Sequence, residues 1–183
     1  MLSNSAKKRS NLRFKLKDIE ENGFKEMDFE CRYEELELFF DDTKFLNPIK
    51  VHVQAFRQGE DVFARFDVDF TVIQECRRCL EPFEEKLHAH FELQYCPLKE
   101  GEMVDEFQDE AEGISRYREE VINIADDVRK YIVLEIPLWP LCDENCKGLC
   151  PYCGQNRNYF DCDCEEKERL KSSKFAVLAD LIK

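Results

Sequence analysis

From Ile49 to Tyr95 apolar and polar residues alternate with a period of two through three successive runs, and this pattern constrains the fold more than any other feature of the chain. IKVHVQAF sets Val51, Val53 and Ala55 on one side; DVFARFDVDFTVI sets Val62, Ala64, Phe66, Val68, Phe70 and Val72 on one side; the third run does the same with Phe83, Leu87, Ala89, Phe91, Leu93 and Tyr95. Successive side chains of a strand point to opposite faces, so each run reads as a strand with one buried and one wet face. The links are short: the turn Arg57-Gln58-Gly59-Glu60, and the segment CRRCLEP. Consecutive strands joined this way form an antiparallel meander. The expected fold is α+β: an antiparallel β meander or small open barrel packed with one or two helices, followed by a cysteine-rich knuckle segment.

Around this centre the signals vary. LRFKL alternates Leu12, Phe14 and Leu16 and reads as a short strand, while MDFECRYEELELFF reads equally as strand or helix. Between Glu100 and Glu112 there are seven acids and no Lys or Arg, so residues 98–118 read as an acidic, solvated loop. A helix is expected near 123–136, with Asn123 as N-cap, Asp126 and Asp127 in the first turn, and Ile124, Val128, Tyr131 and Ile132 on one face. Pro137 ends it. Phe175, Leu178, Ala179 and Ile182 make a second helical stripe at the end. The division expected is a β-rich domain over 1–140 and a cysteine-rich segment with terminal helix over 141–183.

Charge narrows the partners. The 183 residues carry a formal net charge of −13, and phosphate contact needs clustered Lys and Arg. Any RNA contact must use a local patch, such as Lys7, Lys8, Arg9, Arg13, Lys15 and Lys17 near the start. The acidity itself favours a basic partner. No apolar run approaches the roughly 20 residues a membrane helix needs, and the basic start lacks the apolar stretch of a signal peptide. A cytoplasmic location is expected, where cysteines are thiols or metal ligands rather than disulfides.

Six of the ten cysteines fall between Cys142 and Cys164, spaced C-x3-C-x3-C-x2-C-x8-C-x-C. Cys150 and Cys153 in CPYCG form the most specific part: a C-x2-C with glycine just after it suits the turn that aims backbone amides at two thiolates. Zinc takes four such ligands at about 2.3 Å. Cys162 and Cys164 are favoured for the other half, with Cys142 and Cys146 competing. One structural zinc is therefore expected, its four positions filled by protein. Cys146-x3-Cys150-x2-Cys153 also has the spacing of the iron–sulfur motif of radical S-adenosylmethionine enzymes, but it lies near the end of the chain with no β/α barrel after it.

A second pair, Cys76 and Cys79 in CRRCL, sits between two strands. It reads as half a metal site or as a hairpin with two small apolar side chains; redox use would need a strand-to-helix setting. Arg77 and Arg78 between them are candidates for contact with RNA or an acidic partner, or are simply solvated. Cys31 and Cys96 read as packing residues. His88 and His90 share the polar face of the third run; with no third ligand in sight they read as exposed surface, as does His52. No phosphate loop, nucleophile elbow or H-E-x-x-H is present, so catalysis and a small-molecule substrate are not expected.

Taken together, CRRCLEPF after a strand meander, an acidic loop, a helix ending in LEIP, CKGLCPYCGQNRN…CDC and a terminal FAVLADL resemble the bacterial YceD family of large ribosomal RNA subunit accumulation proteins over residues 15–183. Family members commonly carry Asn-Leu-Asn after the CPxCG element, where this chain has Gln155-Asn156-Arg157-Asn158. Lys167-Glu168-Arg169 stands where Asp-Pro-Arg is often found. The resemblance implies a non-enzymatic factor supporting accumulation of 23S-type ribosomal RNA and large-subunit biogenesis, with a large-subunit RNA precursor or a basic ribosomal protein as partner. Some members lack the later cysteine cluster and keep the CxRC pair, which implies that the pair belongs to the shared function. Two other readings stand beside it: a metal-dependent enzyme, iron–sulfur or zinc, and a zinc-stapled protein-binding adaptor unrelated to ribosomes.

Overall fold

The computed structural model describes residues 11–46, 48–99, 101, 106–165 and 167. The chain divides into two compact units. The first takes the described residues up to Ile73 together with Glu85–Pro137; the second takes Gln74–Glu84 and the described residues from Leu138 onward.

The first unit is an open, mostly antiparallel sheet. Its strands are β2 (Phe24–Cys31), β3 (Thr43–Phe45), β4 (Ile49–Gln58), β5 (Asp61–Glu75), β6 (Pro82–Pro97) and β7 (Ile114–Tyr117), ordered β2-β4-β5-β6-β7 with β3 also pairing β5. β1 (Arg13–Lys15) and β8 (Val121–Asn123) form a separate two-stranded sheet. The three alternating runs became β4, β5 and β6, and each buries the side expected: Val51, Val53, Phe66, Val68 and Ala89 are among the fully enclosed side chains. The ambiguous segment after Asp18 resolves as strand β2 followed by a 3-10 turn over Tyr33–Leu36. Pairing decides this, since all eight residues of β2 find partners on β4.

Helix α2 (Ala125–Glu135) covers the buried face. Val128 and Ile132 are enclosed, and Tyr131 stacks on Phe91 with ring centroids 3.8 Å apart; Phe91 in turn stacks on Phe66 at 4.6 Å. The Tyr95 hydroxyl donates to Asp127 at 2.8 Å, as does Ser115 at 3.2 Å, so the partly buried carboxylate is satisfied from two strands. Asn123 is not the N-cap. Ile124 holds that position, and the Asn123 side chain instead accepts from the Ala125 N–H one residue further in.

The acidic stretch departs from the expected loop over 98–118. A short helix α1 (Glu106–Ala111) and strand β7 lie within it, and β7 pairs with β6 in parallel, from Gln94↔Ile114 to Pro97↔Tyr117. Arg116 chelates Asp109 with bonds of 2.7 and 2.9 Å, which ties helix to strand and neutralises one of the acids. A local count of charges hides this, because the neutralising arginine lies just beyond the acidic run. Among the described residues no helix is long and apolar enough to cross a membrane. The terminal stripe of Phe175, Leu178, Ala179 and Ile182 and the basic residues Lys7, Lys8 and Arg9 lie outside the described residues.

A candidate metal centre of two cysteine tetrads

The second unit is built on two turns that share one pattern of backbone hydrogen bonds. In CRRCLE the Cys76 N–H donates to the Glu81 carbonyl at 3.0 Å and the Leu80 N–H to the Cys76 carbonyl at 2.9 Å. In CPYCGQ the Cys150 N–H donates to the Gln155 carbonyl at 2.8 Å and the Gly154 N–H to the Cys150 carbonyl at 2.9 Å. The residue after the second cysteine is left-handed in both, Leu80 at φ 59 and Gly154 at φ 73. Left-handed backbone favours glycine, so CPYCG announces itself in sequence. CRRCL conceals the same turn behind an exposed leucine.

Each turn is completed by a second pair of thiols. Cys76 and Cys79 gather with Cys142 and Cys146, and Cys150 and Cys153 with Cys162 and Cys164; within each group the four sulfurs lie within 4.8 Å of one another. The Cys76–Cys146 and Cys79–Cys142 sulfurs are 3.8 and 3.6 Å apart. Four sulfurs set tetrahedrally at about 2.3 Å from a common centre stand about 3.8 Å from each other. A disulfide would need about 2.05 Å, and all ten cysteines are free. The donor set and its spacing therefore fit a closed, tetrahedral thiolate site twice over. In place of six cysteines competing for one ion there are two complete tetrads, because Cys142 and Cys146 are taken by a pair more than sixty residues earlier. That division also splits the iron–sulfur spacing: Cys146 belongs to one group, Cys150 and Cys153 to the other.

The electrostatics suit a cation. Burial pushes the Cys76 thiol up, but the backbone N–H groups of Cys142, Cys79 and Arg78 outweigh it and bring it down to about 6. Backbone N–H groups of Cys153 and Tyr152 take Cys150 down to about 6. The neighbours move the other way: burial and then the adjoining thiols push Cys142 up to about 12, and the Cys153 thiol raises Cys164 to about 12. Four thiolates cannot share so small a space without a cation, so protons are retained on some of them; a divalent ion would release those protons.

Side chains around the first tetrad are committed to holding it. The Arg78 guanidinium donates to the carbonyls of Glu144 and Cys146 at 2.9 and 3.1 Å, so its fork organises the loop that carries two of the ligands. Asn158 accepts from the Lys147 N–H at 2.8 Å and donates to the Cys146 sulfur at 3.2 Å, which draws that thiol down. Asn156 accepts from the Asn158 N–H at 3.0 Å. The two asparagines that follow CPYCG thus have defined work, and Arg157 between them stands partly exposed. Arg77 is exposed and its N–H donates to the Pro140 carbonyl at 3.0 Å. Cys31 is buried in the sheet and its thiol is raised to about 12 by burial, which fits packing and not ligation.

A family model described as "Large ribosomal RNA subunit accumulation protein YceD" matches residues 64–182, a stretch that contains all eight tetrad cysteines. The chain belongs to the YceD family. It is 26% identical over 149 residues to the chloroplastic "Large ribosomal RNA subunit accumulation protein YCED homolog 1" of Arabidopsis thaliana, covering 68% of this chain and 46% of that protein. It is 32% identical over 120 residues to uncharacterized proteins of Mycobacterium tuberculosis and Mycobacterium bovis, covering 65% of this chain and 55% of each. The chain thus spans about half the length of these curated relatives. No solved structure matches it. The YceD match leaves out β1 to β4 and begins inside β5, so what it covers is the β5–β6 hairpin, the helix-bearing segment and both cysteine groups.

Proposed function

We propose that this YceD protein is a non-enzymatic factor supporting accumulation of 23S-type ribosomal RNA and assembly of the large ribosomal subunit, with two structural zinc ions. The observation that carries the reading is that the family match embraces two groups of four clustered cysteines, each with enough thiols to fill a tetrahedral site. Thiolate sets of this kind select zinc among the common divalent ions. Bound zinc would crosslink distant loops and leave no position open for a substrate. Metal analysis of the purified chain tests the chemistry: two zinc ions per chain are expected, and iron with acid-labile sulfide would support the enzyme reading instead. Ribosome profiles of a deletion strain test the role, with loss of 23S-type RNA and of large subunits expected and an unchanged profile overturning it.

The partner surface is assigned to the second unit. Trp139, Tyr152, Tyr159 and Phe160 are exposed there at 56 to 70%, in the unit that also carries Arg77 and Arg157. Aromatic faces combined with arginine suit unpaired RNA bases. A basic ribosomal protein, attracted by the net charge, is the other partner this reading admits. Arg77→Glu combined with Tyr159→Ala should abolish co-sedimentation with large-subunit precursors if the contact is with RNA; retained co-sedimentation assigns the contact elsewhere. Arg78→Glu is a poor probe because it also dismantles the first cysteine loop.

A further inference from the structure

All three histidines of the chain lie on the wet face of the sheet, each against an aspartate of a neighbouring strand. His52 Nδ1 is 2.8 Å from Asp28, His88 Nδ1 is 2.8 Å from Asp69, and His90 Nδ1 is 2.8 Å from Asp67. Alternating charges across an exposed sheet face are an ordinary way to stabilise it. The His52 pair needs no further explanation. The other two histidines differ, because both converge on a single oxygen: Asp67 Oδ1 lies 2.8 Å from His90 Nδ1 and 3.3 Å from His88 Nε2.

This convergence sets a constraint on protons. If Nδ1–H of His88 donates to Asp69, the neutral ring presents a lone pair at Nε2, and that lone pair faces a carboxylate oxygen. Two acceptors so close repel unless a second proton or a cation lies between them. We propose that Asp67, His88 and His90 form a third cation site on the sheet, of nitrogen and oxygen donors, for a divalent first-row transition ion. Their ligand atoms lie within 4.8 Å of one another. Ligands at about 2.0–2.2 Å from an ion stand about 3–4 Å apart, so small side-chain rotations suffice. His88 and His90 are two residues apart on one strand and necessarily share a face. Asp69 behind His88 supplies the carboxylate–histidine arrangement that fixes a metal-binding tautomer and orients the ring. Two imidazoles and one carboxylate leave the solvent side of the ion open to water, unlike the closed thiolate groups. The site lies wholly within the first unit and is independent of the zinc reading above.

Nickel is the appropriate probe, since it prefers nitrogen and oxygen donors to tetrahedral thiolates. The full chain, purified with its cysteine groups loaded, is titrated with Ni2+ by calorimetry, with zinc content measured before and after. One saturable equivalent of Ni2+ is expected, with selective paramagnetic broadening of signals from His88, His90 and their neighbours in β5 and β6. His88→Ala and His90→Ala should each weaken binding at least about tenfold, and Asp69→Asn, which touches only the back of His88, about tenfold. Gln54→Ala, on the same face of β4 but opposite Arg65 and bonded to Glu26, is the control and should leave binding unchanged. These side chains are exposed, and the strand signal of each variant in circular dichroism reports whether its sheet folds. Wild-type affinity in His88→Ala or His90→Ala, an equal loss in Gln54→Ala, or the absence of a saturable equivalent would each overturn the site.

Discussion

Gly148 sits where two loops of the second unit approach each other closely. It is left-handed at φ 69, and a Cβ there would lie 2.9 Å from the Arg78 carbonyl oxygen, the same oxygen that accepts from the Leu149 N–H. Gly148→Ala should therefore cost at least about 2 kcal/mol, from left-handed strain plus a backbone clash, and lower the metal content of the first tetrad; denaturant unfolding with zinc quantification checks it. Leu80 presents the opposite case. It holds a left-handed turn position while 54% exposed, so Leu80→Gly should gain about 0.5 kcal/mol as strain relief exceeds the entropy of glycine. A loss of stability there would mean that the leucine side chain packs. On the sheet, the hydrogen bond to Asp28 raises the His52 imidazole above its usual 6.5, with Glu26 and Asp67 nearby acting in the same direction. A raised folded value means that the stabilisation is complete below about pH 6.5 and is lost as pH rises through the folded value. Exposure keeps the contribution small. Asp28→Asn should return the NMR titration midpoint of His52 toward the usual value; an unmoved midpoint would assign the shift elsewhere.

At the scale of elements, α2 is held by burial on one face and by a polar contact from Asp127 in its first turn. Ile132 is fully enclosed, and Ile132→Ala should cost about 3 kcal/mol, read as a lower denaturant midpoint with unchanged zinc content. The strands themselves were legible from alternation, because one buried face and one wet face impose a period of two across three successive runs. The helix was legible from the spacing of Ile124, Val128, Tyr131 and Ile132. Its cap was not, since a cap depends on backbone geometry that Asn123 and Ile124 could each have supplied. β7 was hidden for a different reason. A four-residue strand pairing in parallel has too few residues to show a period, and the run before it, up to Glu112, is acidic.

For the whole molecule, the contrast is between two kinds of core. The first unit encloses a continuous apolar cluster running from Leu12 to Ile132. The second encloses Cys76, Cys79 and Cys146, with Phe83 and Leu141 packed beside them. So small an apolar cluster cannot offset the chain entropy of its loops, whereas a structural zinc in a small domain contributes about 10–16 kcal/mol of folding free energy. Chelation should thus unfold the second unit alone. The eight tetrad thiols become reactive toward a thiol reagent while the strand signal in circular dichroism and the NMR dispersion of β4 and β5 persist. Simultaneous loss of both units would contradict this, as would an unchanged second unit after complete metal removal.

The sequence by itself determined the meander, the face each strand buries, and the CPYCG turn, because these are written in residues that are neighbours or repeat at a fixed period. Only the tertiary structure decided how the thiols and the histidines are shared out. Cys76 and Cys79 meet Cys142 and Cys146 across more than sixty residues, and Asp67 reaches His88 and His90 from the next strand. Such groupings depend on where the chain returns in space, which no local spacing records. The two cysteine turns mark that boundary: the one with glycine is visible in the sequence, and the one with Leu80 emerges only from its hydrogen bonds.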